Sequence, residues 1–389
     1  MLFGYPIEAT SENWLHECLE QILRFIHNNL TDSSISTDWA EAISEPYKKR
    51  LKRRLKITDT SKPKERIKEE ESKREKLTLG DKLLKYQESL QKLTDIEREQ
   101  ILKAFSDQNN IASLLSGNST CEMLRDLPED IRQPIKVLFE FAFDILTPLG
   151  IRDKHYKMIY DVSPYHICPF CGTEYFDAPS APREALDHYL SKEKYPFAAA
   201  NLHNLVPMGN KCNSRYKLAQ DILRNDEGVC RKSFNPYNHQ TIIISLDKSE
   251  LFAGKIGNTG EQLPEWKIDF IPNSQNSENV DIWEEEITTW DKVFHIKERY
   301  KRDILDEGFN KWLTGFRSWC RHPRTNTPHS EQEWIEAIQN YTNYNEDLGF
   351  DDRAFLKAAV FRMLCLNYKN GNQRVIQFIK DVVNDDVSI

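Results

Sequence analysis

The side chains best suited to chemistry in this sequence are gathered between Cys168 and Lys217. Cys168-Pro169-Phe170-Cys171-Gly172 sets two thiols three positions apart across a tight turn, and Gly172 lets the chain reverse beneath a bound ion. Two such thiolates supply half of a tetrahedral zinc site, and Cys212 offers a third. A second knuckle around Met208-Gly209-Asn210-Lys211-Cys212-Asn213 would need cysteine at 209, where the chain has glycine. Cys230, His166 and His239 are candidates for the fourth ligand that spacing does not rank, beside closure by water or no ion at all.

Between the two halves of that knuckle lie Leu186-Asp187-His188-Tyr189-Leu190 and Asn201-Leu202-His203-Asn204-Leu205-Val206-Pro207, and Cys212-Asn213 then leads into Arg215, Tyr216 and Lys217. This order resembles the HNH (ββα-metal) endonuclease family, in a zinc-ribbon-like form similar to the HNH nucleases of bacterial defence systems. The likeness covers roughly fifty residues, and its joint pattern is specific where each piece alone is weak. It implies that His188 is the general base and that Asp187 and Asn213 bind one divalent ion that touches the leaving oxygen. It also implies that Asn204 belongs with His188 in the catalytic set, bonding backbone across a ββα hairpin so as to hold the histidine loop.

Phosphodiester hydrolysis needs a water stripped of its proton, a Lewis acid on the scissile phosphate and stabilisation of the departing oxygen. Asn213 departs from family members with histidine at that position. Its neutral oxygen, with Asp187 and phosphate, makes a hard and incompletely filled site that suits Mg2+ or Mn2+, so zinc is expected only at the cysteines. Lys211, Arg215 and Lys217 surround the expected helix start, where cations and backbone N–H groups attract phosphate. Neighbours on a strand point to opposite faces, so Asp187 and His188 share one site only if the strand bends or its backbone takes part.

Each of these residues also has a plainer reading. Asp187-His188 can be a surface pair at a turn, Asn213 a helix N-cap, and Arg215 with Lys217 a solvated helix face. His203, Tyr189 and Tyr195 read as packing, and Cys121, Cys320 and Cys365 as small buried apolar residues. The rival for the whole segment is a noncatalytic zinc-ribbon scaffold that docks nucleic acid or protein.

The elements that must position this segment read as mostly helical. The expected fold class is α+β, with a helical region over 1–150, a central ββα-metal module over 151–240, and an α+β or helical extension with a small sheet over 241–389. Trp14, Cys18, Ile22 and Ile26 recur at helical spacing, as do Leu79, Leu83, Leu84, Leu90 and Leu93. The polar stretch from Lys48 to Lys76, interrupted by Pro63, is either a phosphate-contacting arm or a solvated linker. Thr241 to Leu246 and Trp266 to Ile271 read as strands around Gly254, Gly257 and Gly260. Helical pattern returns over Trp290 to Trp319 and Glu331 to Val383, with no internal repeat.

Bulk properties narrow the function classes. The formal net charge of −8 means that binding to DNA, the favoured substrate, must rely on a local basic surface. Eight cysteines with one close pair argue for reduced thiols and against a disulfide framework. No run approaches the roughly 20 apolar residues of a membrane span, and Val137 to Leu146 with Glu140 and Asp144 reads as a core helix. Early Glu8, Glu12 and Glu17 are unlike a secretory signal, so a cytoplasmic location is expected. The chain carries no GxxxxGK[ST] loop, so the separate ATPase subunit that accompanies many defence nucleases would be the source of any ATP use.

Overall fold

The apolar stripe of Trp14, Cys18, Ile22 and Ile26 winds into helix α1 (Trp14–Asn28) with all four residues buried. The computed structural model describes residues 1–30, 37–57, 78–163, 165–181, 186–238, 241–257, 262–272, 280–322 and 328–384; Pro63, His239 and Gly260 lie outside them. After the short basic helix α2 (Tyr47–Leu51) come α3 (Leu79–Gln91), α4 (Asp95–Asn109) and α5 (Ile111–Leu115). Thr78 with Asp81 and Thr94 with Glu97 form reciprocal capping boxes, which explains where α3 and α4 begin. Within the basic run, the Arg50 guanidinium lies over the Trp14 ring at 5.2 Å, so that cation covers the first helix.

Helix α6 (Glu129–Ile145) buries Leu138, Phe139, Ala142 and Ile145, the core helix expected there. Gly150, at φ 73°, turns the chain into α7 (Ile151–Val162), so helix continues past the boundary expected near 150. Strands β1 (Leu186–His188) and β2 (Leu205–Pro207) form an antiparallel hairpin. Farther on, β3 (Ile242–Ser245) pairs with β6 (Asp269–Pro272), and β4 (Glu250–Ile256) with β5 (Gln262–Glu265). The remaining helices are α8 (Val280–Phe294), α9 (Ile296–Tyr300), α10 (Asp306–Cys320), α11 (Glu331–Asp347), α12 (Ala354–Lys369) and α13 (Gln373–Asn384). The protein is therefore mostly helical α+β with small antiparallel sheets. No helix among the described residues is long and apolar enough to cross a membrane.

Among the described residues two hydrophobic cores form, and the central segment belongs to both. One core joins α1, α3, α4 and α6 to Phe197, Ala199, Ala200, Leu202 and Leu205 from the hairpin loop. Phe197 meets Phe105 of α4 and Phe139 of α6 edge-on, at 5.5 and 5.1 Å. The other core joins Cys168, Phe170, Cys171, Val206 and Cys212 to the C-terminal sheet and helices. The first residues cross into this second core: Leu2 N–H donates to Pro169 O at 2.9 Å, and Ile242 N–H donates to Leu2 O at 3.1 Å. The module is thus the seam between the two halves of the chain.

The helical half holds one buried histidine, His16, and one half-buried, His27. Burial lowers His16 and His27 from 6.5 to about 4, against a small opposing pull from Glu20 on His16, and Arg98 lowers His27 further. Both bind a proton more readily when unfolded, so their contribution is full above pH 6.5 and is lost as the pH falls toward 4. Urea midpoints followed by far-UV circular dichroism should fall steadily between pH 7 and pH 4.5. Replacing both histidines by glutamine should make that slope shallower, with the remainder coming from His155, His188 and His203, which burial also lowers.

Candidate functional site

The β1–β2 hairpin sets Asp187 opposite Val206 and His188 opposite Leu205. Its long loop closes through one buried amide. Asn204 Oδ1 accepts from Leu190 N–H at 2.7 Å, while its Nδ2 donates to Leu190 O at 3.0 Å and to Ala198 O at 3.1 Å. The helical half grips the same loop from outside. Gln108 Oε1 accepts from Phe197 N–H at 3.1 Å, and Asn109 Oδ1 accepts from Asn201 Nδ2 at 3.0 Å. Asn13, at the head of α1, accepts from Leu202 N–H at 2.9 Å.

This loop delivers Ala199 O to His188 Nε2 at 3.0 Å. A carbonyl can only accept, so Nε2 carries the proton and Nδ1 keeps its lone pair. Burial pushes His188 down to about 3, assisted by the positive charges of Lys192, Lys217 and Arg152 and opposed by the Ala199 bond. The imidazole is therefore neutral at physiological pH. Its ring lies 4.3 Å from Phe143, which also carries the Arg152 and Lys192 side chains at 4.8 and 5.9 Å. Neither Arg152 nor Lys192 stands out in the sequence, because one comes from α7 and the other from the loop.

Asp187 meets a different partner from the one its sequence neighbours suggest. Lys217 Nζ lies 2.7 Å from Asp187 Oδ2 and donates to His188 O at 2.8 Å. Lys217 is only 1% exposed, so the expectation that it contacts phosphate is overturned: its ammonium is enclosed beneath the hairpin. The cause is a π-helical turn over Cys212–Lys217, in which Leu218 N–H reaches Asn213 O at 3.0 Å and Leu218 stands at φ 46°. That wider turn rotates the last residue inward. Burial raises the Asp187 carboxyl against the opposing charge of Lys217. Lys217 is thus the partner of this carboxylate in charge and in hydrogen bonding, and a cation ligated by Asp187 would have to displace or share with that ammonium.

Asn213 sits inside this helix, its N–H donating to Gly209 O at 2.9 Å, and Lys211 occupies the cap position before the π turn. It is half-buried, and helix capping is not its role. The side chains of Lys211 and Arg215 are exposed on the same helix. His203 is half-buried and lies edge-on to Tyr237 at 6.2 Å, the packing role expected of it.

The sulfurs of Cys168, Cys171 and Cys212 converge within 4.8 Å of one another and are all buried, a cluster that could bind a metal such as zinc. Gly172 makes the knuckle turn at φ 65°, and a Cβ there would lie 2.5 Å from Leu2 Cδ1. Helices α8 and α9 close the cluster from above. Trp290 Nε1 donates to Phe170 O at 2.9 Å, and Tyr300 donates to Cys171 O at 2.7 Å. Burial pushes the Cys168 and Cys212 thiols up; it also opposes ionisation of Cys171, but hydrogen bonds from both neighbours and the Arg299 charge hold Cys171 well down. Of the expected fourth ligands, His166 instead stacks on Tyr160 at 3.7 Å and Cys230 is exposed, so neither joins the cluster. His239 lies outside the described residues.

Two substitutions test this construction. Lys217→Met strands a buried carboxylate and should cost about 3–5 kcal/mol in urea unfolding, most of it recovered by adding Asp187→Asn. Asn204→Ala leaves the N–H and the carbonyl of Leu190 unpaired, at about 1–3 kcal/mol each, while Ala198 O keeps its bond from Asn201 N–H, and amide exchange at Leu190 should accelerate with the loss. No family model, curated protein or solved structure matches this chain.

Proposed function

We propose that this chain is a metal-dependent endonuclease that hydrolyses DNA phosphodiester bonds at the β1–β2 hairpin, with His188 as the proton acceptor. The observation that carries the reading is the tautomer of His188. Its Nε2 proton is committed to Ala199 O, which fixes the tautomer and leaves Nδ1 as the nitrogen with a lone pair for a proton from water; burial keeps the ring neutral but also lowers its basicity. Asn204 acts as a positioning residue, because its bonds to Leu190 and Ala198 hold the loop that presents the Ala199 carbonyl.

Asp187 and Asn213 are the residues that would hold a hard Mg2+ or Mn2+ ion, which when bound supplies Lewis-acid neutralisation at the scissile phosphate. Lys217 competes for the same carboxylate, so occupancy should depend on ion concentration. Positive charge from Lys192 and Arg152 beside His188, with exposed Lys211 and Arg215 on the π helix, provides local attraction for a polyanion despite the net charge of −8. The HNH resemblance adds the expectation of an effector in bacterial anti-phage defence working beside a separate ATPase.

The Asp187–Lys217 pair favours one alternative, a noncatalytic zinc-ribbon scaffold in which Lys217 compensates the carboxylate permanently. Plasmid nicking with Mg2+ or Mn2+ separates the two. His188→Ala should lose at least about 100-fold in rate while its circular dichroism and cysteine-bound metal stay those of the parent. Equal nicking by parent and variant would leave only the scaffold.

A further inference from the structure

We propose that Glu174 is the fourth ligand of the Cys168–Cys171–Cys212 centre, making it a site of three thiolates and one carboxylate for a single zinc ion. The vacancy in the second knuckle is at position 209, three residues before Cys212, where the chain has glycine. The Glu174 carboxylate fills that place. A Cβ built on Gly209 would lie 2.7 Å from both Cδ and Oε2 of Glu174, so the space of a residue-209 side chain is taken by an acid reaching across from the first knuckle.

The carboxylate is fixed there by the second turn itself. Glu174 Oε1 accepts from Lys211 N–H at 2.8 Å and Oε2 accepts from Cys212 N–H at 3.3 Å. Oε2 is also 3.7 Å from Cys171 Sγ. Tetrahedral zinc with arms of about 2.0–2.3 Å puts ligand atoms about 3.3–3.8 Å apart, so this separation is already that of two ligands on one ion. The three sulfurs gather within 4.8 Å without Glu174, so ion binding draws the carboxylate further toward Cys168 and Cys212.

Charge supports the same assignment. Three thiolates and a carboxylate exceed the charge of Zn2+ by two, and buried Arg299 offsets one of these, with Nη1 3.3 Å from Cys212 Sγ and Nη2 3.8 Å from Glu174 Oε2. Zinc uptake forms three Zn–S bonds and one Zn–O bond and releases the thiol protons to solvent. The proposal does not rest on the nuclease reading.

The test uses the full chain, stripped by chelator and reloaded with Zn2+ or Co2+, with metal counted by elemental analysis and affinity measured against a chromophoric chelator. The parent should bind one zinc, and its Co2+ form should show a tetrahedral spectrum with three-thiolate charge-transfer intensity. Glu174→Gln should weaken zinc at least about 10-fold. The double variant E174G/G209C should restore tight binding and raise the charge-transfer band by about a third, since a fourth sulfur replaces the oxygen. Gly209 is not in the left-handed region, and glycine at 174 removes the Cβ that would lie 2.8 Å from a Cβ at 209 along with the carboxylate, so cysteine fits there. A parent that takes up no zinc, a parent with four-thiolate intensity, or Glu174→Gln binding as tightly as the parent would overturn the assignment. If Glu174→Gln does not fold, the double variant decides alone: failure to regain zinc rejects the proposal.

Discussion

The buried amide of Asn204 spends all its directed bonds on a single loop, and the geometry of the hairpin follows from that. A loop from Tyr189 to Asn204 contains many backbone groups that water cannot reach, and an interior amide with one acceptor and two donors can tie its two ends together. Because Leu190 and Ala198 are both held, the neighbouring Ala199 carbonyl is aimed at His188, and the tautomer of that imidazole becomes a property of the backbone. Small residues at 198–200 let the loop pack closely, and Phe197 anchors it among the aromatic rings of α4 and α6. The helical half of the chain is thus the outer wall of the hairpin, reached through Gln108, Asn109 and Asn13.

The cysteine cluster acts on the other side of the same hairpin. Cys212 begins the π turn that ends at Lys217, so one short helix connects the thiols to the ammonium beneath Asp187. An ion drawn into the thiols would stiffen the start of that turn, and the inward direction of Lys217 depends on the turn keeping its extra residue. Helices α8 and α9 reinforce this from the C-terminal half, because Trp290 and Tyr300 bond the carbonyls of the first knuckle. Burying Lys217 is tolerable only because Asp187 and the His188 carbonyl share its charge. Lys192 and Arg152 add positive charge beside His188 within a chain of net charge −8.

Much of this was legible in residue order. Apolar spacing determined the helices from Trp14 onward, alternation and turn residues determined the strands later seen as β3 and β6, and cysteine spacing picked out the three thiols that converge. These features are local, fixed by backbone period and by the reach of neighbouring side chains. The hairpin and its buried amide at Asn204 were implied by the HNH resemblance alone, since residue order by itself does not say which strands pair or where an amide bonds.

Tertiary structure alone decided which charges face inward. Lys217 and Arg215 are indistinguishable as basic residues on a short helix, and only the widened turn buries the first and exposes the second. Arg299 and Glu174 reach the thiols from α9 and from across the knuckle, encounters that packing creates between positions without any periodic relation. The division of the central segment between two cores was equally hidden, because hydrophobic period reveals that a face is buried but not against which partner.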